Sequence, residues 1–380
     1  MNYRHFNKIK MDASTFGLGC MRFNGPAKGD SCIDEDKAIA LIRRAIDGGV
    51  NYLDTAYVYL DKTSETVLGK ALRDGYRDKV TIATKMPIEY VNNYEEMEAL
   101  LDSELKKLQT DHIDYYLMHG IDKNKWLRFK EMGGDRFFED KKREGKIRYK
   151  CFSFHGSYED FEYIIKDNDW DMVQIQFNYM DVANQAGEKG LKLAGELGIP
   201  VVIMEPLLGG KLAKAPDNVK ALYDAFPTKR SSVEWAFRWI ANYPQVMTIL
   251  SGCNEAEQID ENLRIFDNVA ADCMSDEELK LIDKVRDAYN DRTKIGCTGC
   301  RYCMPCPGGV DIPRVFAAWN ECSLYGIKAE ESWNYQELKR LKQTPANCLK
   351  CGKCEKACPQ GLKIIDSLQK AWHELETGTV

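Results

Sequence analysis

Nothing in the 380 residues approaches the 18 or more consecutive apolar residues of a membrane-spanning helix. The first twenty carry Arg4, Lys8, Lys10 and Asp12 where a secretory leader needs an unbroken apolar core, so the cytoplasm is the expected compartment. Basic excess is missing too. Against 59 Asp and Glu stand 53 Lys and Arg, a net charge of -6, which excludes a protein that coats nucleic acid through bulk charge. Proline is sparse, at 12, while 44% hydrophobic and 29% charged residues describe an ordinary globule of two or three folding units rather than a disordered or fibrous chain. No Pro/Gly/Ser-rich tether separates the parts, which are therefore expected to be docked. Also lacking is a Gly-x-Gly-x-x-Gly loop opening a helix: Gly17-Leu18-Gly19 has no third glycine in register, which weighs against an open dinucleotide-binding sheet.

What the chain does have, over its first 290 residues, is alternation. Helical periods recur at 36–46 (Ile39, Ile42, Ile46), 95–108 (Met97, Leu101, Leu105, Leu108) and 232–243, and Ser275 with Glu278 forms a capping box ahead of Leu279, Ile282 and Val285. Between such helices lie eight short β-rich runs, at 15–19, 51–54, 80–84, 112–118, 147–153, 172–177, 200–204 and 246–251. Eight parallel strands joined by helical crossovers predict an α/β fold, a closed (β/α)8 TIM barrel over 1–290. The segment 3–12 reads as a hairpin plugging the barrel's bottom.

The cysteines demand a second domain, over 291–380. Of 14, six stand singly (Cys20, Cys32, Cys151, Cys253, Cys273, Cys322), and eight form two runs, Cys297, Cys300, Cys303, Cys306 and Cys348, Cys351, Cys354, Cys358. A reducing compartment does not keep a disulfide framework, so such density reads as metal binding. The second run, Cys-x-x-Cys-x-x-Cys-x-x-x-Cys-Pro, matches the bacterial ferredoxin pattern; the first is one residue shorter before Cys306. By analogy with two-cluster ferredoxins, Cys297, Cys300, Cys303 and Cys358 would hold one 4Fe-4S cluster and Cys348, Cys351, Cys354 and Cys306 the other. The rival is a pair of four-cysteine zinc knots, which do not call for a third cysteine three residues on followed by Cys-Pro. The domain is expected to be mainly helical, in pieces over 312–341 and a closing helix at 362–372, with Trp319 and Trp333 available to cover the metal sites. Two clusters would add about -4 to the charge, bringing it near -10 and favouring small basic partners over acidic ones.

Four polar residues stand at barrel strand ends in sequence order: Asp54, Tyr59, Lys85 and His119. Barrel chemistry gathers at that C-terminal mouth. A tyrosine's pKa near 10 is too high for easy proton transfer, and an ammonium beside it lowers the value, so Lys85 is expected to activate Tyr59, Asp54 to orient Lys85, and His119 to hydrogen-bond a substrate oxygen. Tyr59 alone reads as a structural tyrosine and Lys85 alone as a surface lysine, while His119, one of five histidines, follows a buried-looking run; the set, in order, reads as a site.

These residues carry a resemblance. Leu53-Asp54-Thr55-Ala56-x-x-Tyr59, followed by Ser64-Glu65 and Leu68-Gly69 and joined by Lys85 and His119, resembles the aldo/keto reductase superfamily, in its branch with a C-terminal ferredoxin-like domain. The resemblance implies NADH or NADPH across the barrel mouth and reduction of an aldehyde or ketone, with Tyr59 as general acid. It implies that Ser153 and Gln176 hold the nicotinamide carboxamide, with Phe177 or Tyr179 lining it, and that Gly252, Gln258, Glu261 and Asn262 surround the adenosine half. Two departures matter. Phe154 stands where an amide-binding asparagine is usual, leaving His155 and Cys151 as alternative substrate contacts. No Arg or Lys lies between Ser251 and Gln258, and Glu255 and Glu257 would repel a 2'-phosphate, so NADH is expected to bind at least as well as NADPH.

Hydride chemistry moves two electrons and a cubane normally one, and the usual converter is a flavin, for which no motif is present. Three arrangements stay open: structural clusters, a flavin in the barrel, or conversion by an electron-transfer partner. The alternative class is an electron-transfer protein with a vestigial tetrad, passing electrons between a redox partner and a flavin or nicotinamide; a barrel kept only as a scaffold is the third. Nucleic acid and membrane are not expected among its partners.

Overall fold

The computed structural model describes residues 1–23 and 33–380; Cys32 lies outside the described residues. Two compact units emerge, Met1–Leu208 with Glu234–Met274, and Gly209–Val233 with Ser275–Val380. The helix Asp276–Asn290 thus groups with the C-terminal unit.

Eight parallel strands close a barrel in the first unit: β3 (Phe16–Gly19), β4 (Tyr52–Asp54), β5 (Thr81–Met86), β6 (Ile113–Ile121), β7 (Ile147–Phe154), β8 (Met172–Gln176), β9 (Val201–Met204) and β10 (Val246–Ser251), with β10 returning to pair with β3. Closure pairs Ile249 with Phe16. Residues of seven of the strands form a buried cluster, Tyr52, Ala83, Tyr115, Leu117, Cys151, Met172, Val202, Met247 and Leu250, so the barrel is filled rather than hollow. The hairpin of β1 (Tyr3–Phe6) and β2 (Ile9–Ser14) adds Ile9 and Ala13 to this cluster, plugging one end as its pattern suggested.

Flanking helices start where short polar side chains can cap them. Asp34 accepts from the Lys37 amide ahead of helix Glu35–Asp47, Asn93 from Glu96 ahead of Tyr94–Leu108, and Ser275 with Glu278 forms the expected capping box. Gly69, in helix Ser64–Ala71, answers a steric demand: a Cβ there would sit 2.4 Å from the Lys107 carbonyl oxygen. That close approach seats the helix following Tyr59 against its neighbour.

In the second unit, Ile312–Tyr325, capped by Asp311 and carrying Pro313 in its first turn, packs against Ile364–Thr377 through Val315, Phe316, Trp319, Leu368, Ala371 and Leu375. The tryptophans do something other than expected. Trp319 is buried in this helix contact and donates its indole N–H to Glu374 Oε2 (2.7 Å), whereas Trp333 is 61% exposed with Arg314 over its ring. Among the described residues no helix is long and apolar enough to cross a membrane.

Candidate functional site

Along four adjacent strands an inner apolar residue is followed two positions later by a polar one: Tyr52 by Asp54, Ala83 by Lys85, Leu117 by His119 and Cys151 by Ser153. A strand's period of two keeps each pair on one face, so the polar member lies one step further toward the C-terminal mouth. Strands β5 and β6 run longer than their apolar cores, because Lys85 pairs with Leu117 and Ile121 with Phe154. Lys85 and His119 are consequently strand residues rather than loop residues.

The four candidates meet. Lys85 Nζ donates to Asp54 Oδ1 (2.6 Å), the Thr55 carbonyl (2.7 Å) and Tyr59 Oη (3.3 Å), which uses all three ammonium protons. The His119 ring stands edge-on to Tyr59, with centroids 5.7 Å apart. Lys85 and Asp54 are almost fully buried, at 1% and 3% exposure, so the charge of each depends on the other. Burial works against the Lys85 ammonium, but Asp54 and Tyr59 hold its pKa above the ordinary lysine value, and the proton stays on nitrogen. Burial likewise raises Asp54, with Lys85 opposing.

One expectation is corrected here. Burial pushes the Tyr59 phenol above its ordinary pKa, and Lys85 offsets only part of that rise. Lys85 thus favours the phenolate as expected, but burial outweighs it and the resting phenol keeps its proton. His119 is lowered to about 3, by burial first and then by nearby basic groups, Lys85 foremost, and is a neutral imidazole at physiological pH.

Ser153, which the resemblance would give to a carboxamide, is occupied. Its Oγ accepts from the Gly120 amide (2.8 Å), inside a register shift between Met118 and Ile121 where Gly120 has φ 54°. Bulges re-aim side chains, and this one sets His119. Gln176 is engaged at both ends: its Nε2 donates to Asp181 Oδ2 (2.9 Å), and its Oε1 accepts from Gln185 Nε2 (3.2 Å), whose own Oε1 meets His155 Nδ1 (3.1 Å). Because the Asp181 carboxylate only accepts, the chain of amides is oriented from that end, and Nδ1 of His155 carries its proton. Of the alternative substrate contacts, His155 is exposed and Cys151 fully buried; Phe177 and Tyr179 are buried too, packed on Trp239, and line no ligand surface.

After β10 the proposed adenosine segment folds as a unit. Asn262 is buried and donates to Ser251 Oγ (3.1 Å) and Cys253 Sγ (3.0 Å), while Gln258 Oε1 accepts from the Asn254 amide (2.9 Å). Glu261 lies on the same helix, Ala256–Phe266, whose first turn has no side-chain cap. Two cations missed in the sequence reach this loop. Lys37 binds both oxygens of Glu255 (2.8 and 2.7 Å), and Arg22 lies so close to Gly252 that a Cβ there would meet its Cγ at 2.7 Å, with its guanidinium 3.5 Å from Glu205. Glu255 is thereby neutralised. The signal available was Arg22's place just beyond a strand end.

In the second unit two hollows divide the cysteines. One is lined by Cys306, Cys348, Cys351 and Cys354, with Cys303 also at its wall; the other by Cys297, Cys300, Cys303 and Cys358. The first holds Cys348, Cys351 and Cys354 of one run with Cys306 and Cys303 of the other, and the second holds three cysteines of the first run with Cys358. Among the described residues no group of three or more His, Cys, Asp or Glu gathers tightly enough for a single metal ion. Thiolates ringing a hollow are a donor set that suits an iron–sulfur cluster.

Comparison with known proteins covers both regions. The aldo/keto reductase family model matches residues 15–287, and a 4Fe-4S dicluster domain model matches 296–363. The chain is similar to the oxidoreductase YqkF of Bacillus subtilis (strain 168), at 26% identity over 314 residues, covering 74% of this chain and 95% of that protein. Among solved structures it resembles aldo-keto reductase AKR11C1 from Bacillus halodurans in its holo form, with 26% identity and a TM-score of 0.64 over 75% of this chain and 96% of that one. It shares its fold with an aldo-keto reductase from Klebsiella pneumoniae in complex with NADPH, at 23% identity and a TM-score of 0.60, covering 75% and 96%.

Proposed function

Since the chain belongs to the aldo/keto reductase family and is an oxidoreductase with a 4Fe-4S domain, we propose that its barrel, within residues 1–290, reduces an aldehyde or ketone with a nicotinamide cofactor and uses Tyr59 as general acid. The observation that carries this reading is the Tyr59–Lys85–Asp54 contact set with a neutral His119 facing it. When bound, the nicotinamide supplies hydride. Tyr59, kept protonated by burial, donates its Oη proton to the substrate oxygen as that oxygen gains electron density. Lys85, 3.3 Å away and anchored by Asp54 and the Thr55 carbonyl, stabilises the phenolate left behind. His119 offers a ring N–H to the same oxygen and fixes its pose, and Ser153 supports His119 through the Gly120 amide.

Gly252 and the uncapped first turn of Ala256–Phe266 suit the phosphates, with Gln258, Glu261 and the buried Asn262 shaping that loop. Ser153 and Gln176 would face the nicotinamide end. Lys37 offsets the charge of Glu255 and Arg22 brings a cation beside Gly252, so the argument for an NADH preference weakens and NADPH is accommodated. We read residues 291–380 as holding two 4Fe-4S clusters in the crossed ligand sets, a reading the two hollows support. The setting proposed is cytoplasmic.

A panel of aldehydes and ketones, offered anaerobically with NADH and with NADPH, tests the function. Substrate-dependent loss of nicotinamide absorbance is expected with both nucleotides, with affinities within about tenfold, since one charge-assisted contact is worth roughly that factor. No oxidation of either nucleotide by any carbonyl would overturn it.

A further inference from the structure

The two cysteine runs share one backbone pattern. In the first, Gly299 (φ 70°) and Arg301 (φ 64°) bracket Cys300; in the second, Lys350 (φ 52°) and Gly352 (φ 71°) bracket Cys351. Both residues flanking the middle cysteine are left-handed in each run, and in each run one is glycine and the other a basic residue. Glycine takes that conformation without strain, whereas a residue with a Cβ does not. Each run thus retains a strained cation where glycine would serve the backbone better, and both cations are exposed.

Their surroundings are unusual for a surface. Tyr302 is 70% exposed and Leu349 is 66% exposed, the two most exposed large apolar side chains among the described residues. Both line the hollow of Cys306, Cys348, Cys351 and Cys354, together with Lys350 and Lys353. No acidic residue lines that hollow, and Lys350 and Lys353 carry no ion pair among the described residues, whereas Arg301 is paired with Asp311 (3.4 Å). In a chain with a net charge of -6, the charged side chains at this rim, Lys350 and Lys353, are both cationic.

We propose that this face docks a small acidic protein that carries one electron at a time. Its acidic surface would meet Lys350 and Lys353, and Tyr302 and Leu349 would fill the apolar centre of a small, transient contact. Charge at the rim governs encounter and salt dependence, while the exposed aromatic and aliphatic side chains exclude water at the middle. At each encounter the carrier and one cluster exchange a single electron, one partner oxidised and the other reduced, with no proton required. The proposal rests on the reading that the eight cysteines hold iron–sulfur clusters.

Anaerobically purified full-length protein is titrated with a flavodoxin as the acidic probe and with a basic c-type cytochrome as control, at low and at raised salt. The test variant is Lys350→Gly combined with Lys353→Gln, in which the first change relaxes the backbone while removing charge. We expect flavodoxin binding to weaken by about tenfold or more in the variant and to lose most of its salt dependence, with melting temperature and iron content unchanged. Binding within twofold of the parent, or tighter binding of the cytochrome than of flavodoxin by the parent, would overturn the docking face. Iron and acid-labile sulfide are assayed first: their absence overturns the cluster reading, and the docking proposal with it, before any binding is measured.

Discussion

In the barrel, the buried ammonium of Lys85 finds its partners within the protein: Asp54, the Thr55 carbonyl and Tyr59 take its three protons, and the filled interior below holds the strands that carry them. In the C-terminal region the helices Ile312–Tyr325 and Ile364–Thr377 pack on an apolar core, but the cysteine-bearing loops 297–309 and 348–361 contain only the short helix Lys353–Ala357. The barrel site is held together by polar contacts within the chain, while the cysteine loops have little regular structure of their own. On the proposed cluster reading, loss of metal should therefore disorder the second region and leave the first in place.

The contrast breaks most visibly at the crossed cysteines. Cys306→Ala and Cys358→Ala should each lower iron from about eight to about four per chain. Each should also damage the cluster built mainly by the other run, while the barrel's melting transition stays in place. Unchanged iron content would remove the crossing. A smaller effect is expected from Ser153→Ala, which leaves the Gly120 amide without its acceptor and loosens His119. We expect kcat to fall about tenfold with nucleotide affinity nearly unchanged, since a small displacement of a positioning group is enough for that loss. A main effect on nucleotide affinity would return Ser153 to the carboxamide.

The smallest effect concerns pH. His119 is held near 3 against an ordinary 6.5, so below 6.5 the unfolded chain takes up a proton that the folded barrel refuses. The stability associated with neutral His119 is therefore fully present above pH 6.5 and lost as pH falls toward 3. His119→Asn should remove this dependence, so that between about pH 7.5 and 5.5 its barrel loses ~2–4 °C less in melting temperature than the parent. Equal losses would place the imidazole's proton elsewhere.

The contrast also explains what could be read from sequence. The eight strands and the order of Asp54, Tyr59, Lys85 and His119 were legible because strand periodicity and the strand-end rule are local. The cysteine runs were legible because cluster ligation imposes spacing directly on sequence. Hidden were features made by distant segments meeting: Lys37 on Glu255, Arg22 over Gly252, and the chain from Asp181 to His155. The sign of the Tyr59 shift was missed for a related reason, since its cause is burial by the assembled mouth and not the neighbour that the motif suggests.

The most direct test of the account is Tyr59→Phe, assayed with a carbonyl substrate turned over by the parent and with nucleotide affinity measured in parallel. The ring and its packing remain and only the acidic proton is lost, so the account predicts a fall in carbonyl reduction of about 10²-fold or more with nucleotide affinity nearly intact. Parental turnover in that variant, across several aldehydes and ketones, would contradict it.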